Sequence, residues 1–209
     1  MDWAERADGA IERYRGGGQR DLDQRQLTQL GNAAWAAGLA LLMSGRANEA
    51  ADWLRRAAQR YRESWEGAPP DSWGRPIAAM KALLLAGDDA SEAARWALDA
   101  GAANAQSPIG RYAGTLALLV LGDDVEARAL GSTLRDLDDF LQPVADALVE
   151  LAGADRIDYS ISLDGILESF EQRTDFLEDL PVADTVLVLQ RLAAARDLAA
   201  DLAPSPVLP

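Results

Sequence analysis

With no histidine and no cysteine among 209 residues, acid–base or nucleophilic chemistry in this chain would fall to carboxylates, Ser, Tyr, Lys and Arg. The adjacent acids Asp88/Asp89, Asp123/Asp124 and Asp138/Asp139 are the first candidates, because hard oxygen donors suit a divalent ion. Neighbouring helical residues point about 100° apart, however, and each pair sits where a helix should begin, so capping and the helix dipole account for it. The stretch DRIDYSISLDGILESFEQRTDFLED gathers Asp158, Tyr159, Asp164, Glu168, Glu171, Asp175 and Asp179, of which Asp164, Glu168, Glu171 and Asp175 share a helical face. A solvated acidic surface predicts the same pattern. No phosphate-binding glycine loop, serine elbow or HExxH is present, and the absence of cysteine removes thiolate metal sites. The sequence therefore predicts no catalytic residue, no metal site and no cofactor, with a carboxylate-based metal-dependent enzyme or small-ligand binder as the alternative.

Charge narrows the partners. There are 34 acids against 20 bases, a net charge of -14, with 23 Asp to 11 Glu and 19 Arg to a lone lysine, Lys81. The acids concentrate late: residues 1 to 105 carry net -2 and residues 106 to 209 carry net -12. Such a chain repels phosphodiester backbones, and only the arginine-rich helix from 46 to 62 offers a basic surface, so nucleic acid is not expected as a partner. The Asp excess and low pI resemble the surfaces of halophilic proteins, haloarchaeal ones above all, in which molar salt shortens the Debye length to roughly 3 Å and screens carboxylate repulsion, with the GC-rich codon usage of an actinobacterial source as the alternative reason for arginine over lysine. No apolar run reaches membrane-spanning length and MDWAERADGA is not a secretory signal, which together imply a cytoplasmic protein without a membrane partner.

The elements that would position these residues read as helices throughout. The spacing predicts helices over 2 to 15, 21 to 44, 47 to 65, 71 to 86, 90 to 103, 107 to 121, 123 to 134, 137 to 152, 161 to 177 and 181 to 202. Stops are expected at Gly16 to Gly18, Gly45 and Gly87, with Asp71 or Ser72 capping the fourth helix. The expected organisation is one all-α domain over 1 to 203, followed by an extended tail over 204 to 209.

Gly45, Gly87 and Gly122 end successive apolar helices 42 and 35 residues apart. The unit GNAAWAAGLALLMSGRANEAADWLRRAAQRY resembles a tetratricopeptide repeat: Gly38, Leu41, Gly45, Ala50, Leu54 and Ala57 occupy that family's small, bulky, turn and alanine positions. The next two units match with a one-residue slip and with substitutions at Met80, Gly131 and Leu134. The resemblance implies antiparallel helical hairpins stacked over about 21 to 134, with helices over about 137 to 202 as a C-terminal cap. It also implies a partner-binding inner groove lined by Trp35, Leu39, Met43, Ile77, Lys81, Tyr112 and Leu116. In that groove the lone ammonium would hold a carboxylate while the two aromatics give apolar contact.

The function expected from this reading is non-catalytic: a protein-interaction module that binds another protein or peptide. The six tryptophans, all before residue 97, are expected in inter-helix packing, and the apolar positions of the last helix, Val182, Val186, Leu187, Leu189, Leu192 and Ala193, could cap the array or join copies into a homo-oligomer.

Overall fold

The computed structural model describes residues 2–18 and 21–209. Among these, ten α-helices and two short 3-10 turns account for the regular structure, and there is no strand. The helices are α1 (Trp3–Gly16), α2 (Gln24–Met43), α3 (Ala47–Glu63), α4 (Gly74–Ala86), α5 (Ser91–Asp99), α6 (Pro108–Leu121), α7 (Asp124–Ser132), α8 (Gln142–Ala152), α9 (Arg156–Glu171) and α10 (Asp184–Ala194). The fold is all-α, and its helical hairpins stack as an array: consecutive helices pack on one another, α4 touches α6, and α6 touches α8.

Local chemistry explains most boundaries. Asp2 caps α1 by accepting from the amides of Ala4 and Glu5, and Asp23 forms a reciprocal capping box with Gln26 at the start of α2. Gly87 and Gly122 close α4 and α6 with φ of 78° and 80°, a left-handed turn that costs glycine nothing. The apolar stripe of α3, Ala50, Leu54, Ala57, Ala58 and Tyr61, is buried, and its arginines lie on the opposite side.

Several boundaries differ from the sequence expectation. The helix expected over 161 to 177 begins at Arg156, because the Asp155 carboxylate accepts from the amides of Ile157 and Asp158, and it ends at Glu171. The helix expected over 137 to 152 starts only at Gln142, with Pro143 in its first turn where a missing N–H is harmless. Neither Asp71 nor Ser72 caps α4: Asp71 accepts from the Trp73 indole and Ser72 donates to the Pro69 carbonyl. The last helix is half the expected length, Asp184–Ala194, since Asp197 adopts a positive φ and the chain turns away.

The terminal residues are not a free tail. Val207 is buried, its carbonyl accepts from the Ala183 amide, and Ser205 donates to Glu171 across 2.6 Å. One continuous buried cluster runs from Ala34 to Val207; a second, smaller one joins α1 and α2 to Leu180.

Candidate functional site

The sequence places its candidate groove on α2, α4 and α6, and the structure puts those residues together on the inner side of the array. It does not leave them open. Trp35, Leu39, Ile77, Lys81, Tyr112 and Leu116 are all buried, Met43 is half-buried, and no groove among them faces solvent. The covering element is the chain's own C-terminal segment: the turn Leu177–Asp179 lies against α2, and α10 packs on α4, α8 and α9. The physical reason is the apolar stripe of α10, where Val186, Leu189, Leu192 and Ala193 are at most 4% exposed. That stripe is consumed inside the molecule, as the capping role of the two expected for it requires.

Lys81 shows how the closure is fastened. Its ammonium donates to Asp184 Oδ2 at 2.7 Å and to Thr185 Oγ1 at 2.9 Å, both in the first turn of α10. The lysine does hold a carboxylate, as its position suggested, but the carboxylate is internal. A clue lay in the sequence: a lone lysine predicted to face the interior needs a buried acid, and Asp184 opens the last apolar helical stretch. Arg196 adds a second clasp, donating to the Leu119 carbonyl and to Asp124 at the end of α6 and start of α7.

Burial pulls the Lys81 pKa down, but the Asp184 carboxylate and the neighbouring Tyr112 together more than offset this and the net shift is upward from 10.5. Burial likewise pushes the phenols of Tyr61, Tyr112 and Tyr159 up from 10.0. All four groups bind their protons more tightly in the folded state than in the unfolded chain. Their stabilisation is therefore complete below the ordinary values and is lost as pH rises through the folded ones. Stability is expected to hold up to pH about 10 and to fall above it, and in a Tyr14→Phe background, which leaves only the three buried phenols, phenolate absorbance and loss of helical circular dichroism should rise in one transition; phenolate formation well ahead of unfolding there would contradict the burial.

The acidic candidates carry structural duties. Asp88 is bound by Arg55 at 2.7 Å, and Asp89 accepts from the Ser91 amide. Asp124 is held by Arg196, while Asp164, Glu168, Glu171 and Asp175 are exposed. Glu150, Asp155 and Asp158 bring carboxylate oxygens within 4.8 Å of one another, but Arg135 holds Glu150 and Asp155 caps α9.

The basic surface that the sequence places on the helix from 46 to 62 is the outer face of α3. Its Arg55, Arg56, Gln59 and Arg62 are exposed between two clefts. Toward α1, a cavity of about 430 Å³ is lined by Tyr14, Arg15, Gly18, Trp53, Arg56 and Arg60. Toward α4 and α5, a cavity of about 250 Å³ includes Arg55, Arg62, Leu83, Glu92 and Trp96. Arg56 lies 5.2 Å over the Trp53 ring and Arg62 lies 4.5 Å over Trp96, so two rings hold two guanidiniums in place. Arg15, Arg56 and Arg62 have no carboxylate partner among the described residues, whereas Arg46, Arg55 and Arg60 on the same helical segment are paired. The signal was present in the i, i+3 spacing of Trp53 and Arg56 and in the near-neutral first half of the chain.

Comparison with protein-family models, with curated proteins and with solved structures finds no match to this chain. Among the described residues no helix is long and apolar enough to cross a membrane.

Proposed function

We propose that the chain is a non-catalytic protein-interaction module of tetratricopeptide-like build, and that it engages an acidic segment of another protein on the outer face of α3 instead of in the inner groove. The observation that carries this reading is the stacking of Arg56 on Trp53 and of Arg62 on Trp96, two guanidiniums held on the outer face of α3 beside Arg15 of α1 with no carboxylate partner among the described residues, in a chain of net charge -14. Guanidinium forks match carboxylates in a bidentate fashion, and a ring beneath each fork lowers the entropy lost when it is engaged. The clefts on either side of α3 supply apolar wall beside the charge, from Trp53 on one side and Leu83, Ala93 and Trp96 on the other.

A salty cytoplasm is the setting this surface fits. There, contacts in clefts survive screening better than exposed charge pairs do, which favours ring-backed arginines over an open basic patch. The strongly acidic second half, net -12, keeps the molecule hydrated and repels acidic chains from its own surface, which leaves the near-neutral first half to α3.

The test is titration of the full chain with poly-glutamate at moderate ionic strength, comparing wild type with an Arg56→Glu, Arg62→Glu variant of unchanged helicity. Binding by the wild type that weakens at least about tenfold in the variant is expected, since each reversed charge replaces attraction by repulsion. Equal binding by the two proteins, or none by the wild type, would remove the outer face as the docking surface.

A further inference from the structure

The cavity between α1 and α3 is lined by donors, and its geometry deepens the reading above, on which it rests. Arg60 donates through Nε to the Tyr14 hydroxyl at 3.1 Å and through Nη1 to Glu63 at 2.7 Å. The Tyr14 oxygen is thus already an acceptor, and its own proton remains available to a guest. Tyr14 meets Trp53 edge to face, with ring centroids 5.2 Å apart and planes at 82°. The Arg60 guanidinium sits 5.8 Å from the Tyr14 ring centre and that of Arg56 5.2 Å from the Trp53 ring centre. Two interlocked rings therefore fix two guanidiniums at the cavity wall, while Arg15 enters from the last turn of α1.

Charge decides what such a cavity takes. Glu63 compensates Arg60, which leaves Arg15 and Arg56 as two positive charges with no carboxylate partner among the described residues. A single carboxylate would neutralise one of them. A phosphate monoester carries close to two negative charges at neutral pH and three acceptor oxygens, which suits two guanidinium forks and a phenolic O–H together. The cavity volume of about 430 Å³ exceeds what a phosphoryl group alone fills, leaving room for the side chain or small molecule that bears it.

We propose that this cavity is a phosphoryl-binding site, in which Arg15 and Arg56 grip a phosphate monoester and Tyr14 donates to it. The source of the phosphoryl group is a phosphorylated side chain of the docked protein or a small phosphate, and the experiment separates the two.

Isothermal titration of the full chain is made with inorganic phosphate, with a phosphoserine peptide, and with the same peptide carrying glutamate at that position. Expected is saturable phosphoserine-peptide binding at least tenfold tighter than the glutamate twin, and a loss of at least tenfold in an Arg15→Gln, Arg56→Gln variant. A peptide bound much more tightly than inorganic phosphate identifies the phosphorylated side chain; equal affinities identify a small phosphate. Trp53→Phe keeps the fold within reach if the double variant loses helicity, and it should weaken phosphate binding by releasing Arg56. Equal affinity for the phosphoserine and glutamate peptides overturns the assignment, as does phosphate binding that survives the double arginine change. Poly-glutamate binding that persists through Arg62 while phosphate binding is absent would remove the phosphoryl site and leave the docking face; phosphate binding without poly-glutamate binding would do the reverse.

Discussion

Replacing Lys81 with alanine is expected to cost about 3 kcal/mol of stability, read as a lowered urea midpoint with the slope unchanged. The side chains of Lys81 and Asp184 are 11% and 21% exposed, so removing the ammonium strands a carboxylate that water barely reaches. Thr185 loses a donor at the same time. The converse change, Asp184→Ala, should cost a similar amount, because it strands the ammonium. Changing both residues to apolar ones, Lys81→Met with Asp184→Leu, should cost far less than the sum of the single losses, since a buried pair repays its desolvation only partly. Additive losses would mean that the two groups act independently and that the 2.7 Å contact does not fasten α10 to α4. No comparable argument applies to Arg46–Glu49 or to Arg55–Asp52, which are exposed pairs within one helix.

Gly38→Val should be equally severe, at about 3 kcal/mol, for a steric reason. A β-carbon on Gly38 would stand 2.6 Å from Leu54 Cγ and 2.7 Å from its Cδ2, and Leu54 is fully buried. Helix propensity alone would make a larger residue in mid-helix favourable by up to about 1 kcal/mol, so the sign of the measured change separates contact from propensity. Gly16→Ala is the control: a β-carbon there meets nothing within 4 Å. Combining Gly38→Val with Leu54→Ala should recover part of the loss, because the second change vacates the space the first one needs. A stabilised or unchanged Gly38→Val protein would show that α2 and α3 are not in van der Waals contact at this crossing.

The contrast between these two sites explains what could be read from the amino-acid order. Gly38 and Leu54 lie 16 positions apart on consecutive helices, and both the glycine's smallness and the leucine's bulk are visible as letters at regular offsets. Short-range regularity of this kind made the helices, their glycine stops and the stacking of neighbours legible. Lys81 and Asp184 are 103 positions apart, and nothing periodic links them. The residues expected to line an open groove are accordingly buried under the C-terminal segment, since periodicity shows which face of a helix is apolar but not which distant helix covers it. The capping of α9 by Asp155 was missed for a smaller reason: Ile157 and Ile161 are exposed, so the inward apolar pattern begins later than the helix does. The arginine face of α3 stood out as basic, but not which of its arginines are paired, because a residue count cannot distinguish a guanidinium paired with Glu63 from one resting on Trp53.

That the inner surface is closed by residues 177 to 194 carries a consequence for synthesis. A ribosome makes α2, α4 and α6 long before it makes α10, so every nascent chain passes through a stage in which Trp35, Leu39, Ile77 and Leu116 have emerged and their cover has not. During that interval the array presents an apolar channel with a lysine in its wall, open to any amphipathic helix that begins with an acid. Hairpins can form as they emerge, because their contacts are local, but the last step waits for a loop of about a hundred residues to close. The half-made molecule thus exposes apolar surface of the kind that holdase chaperones bind, and α10 covers it in the finished one.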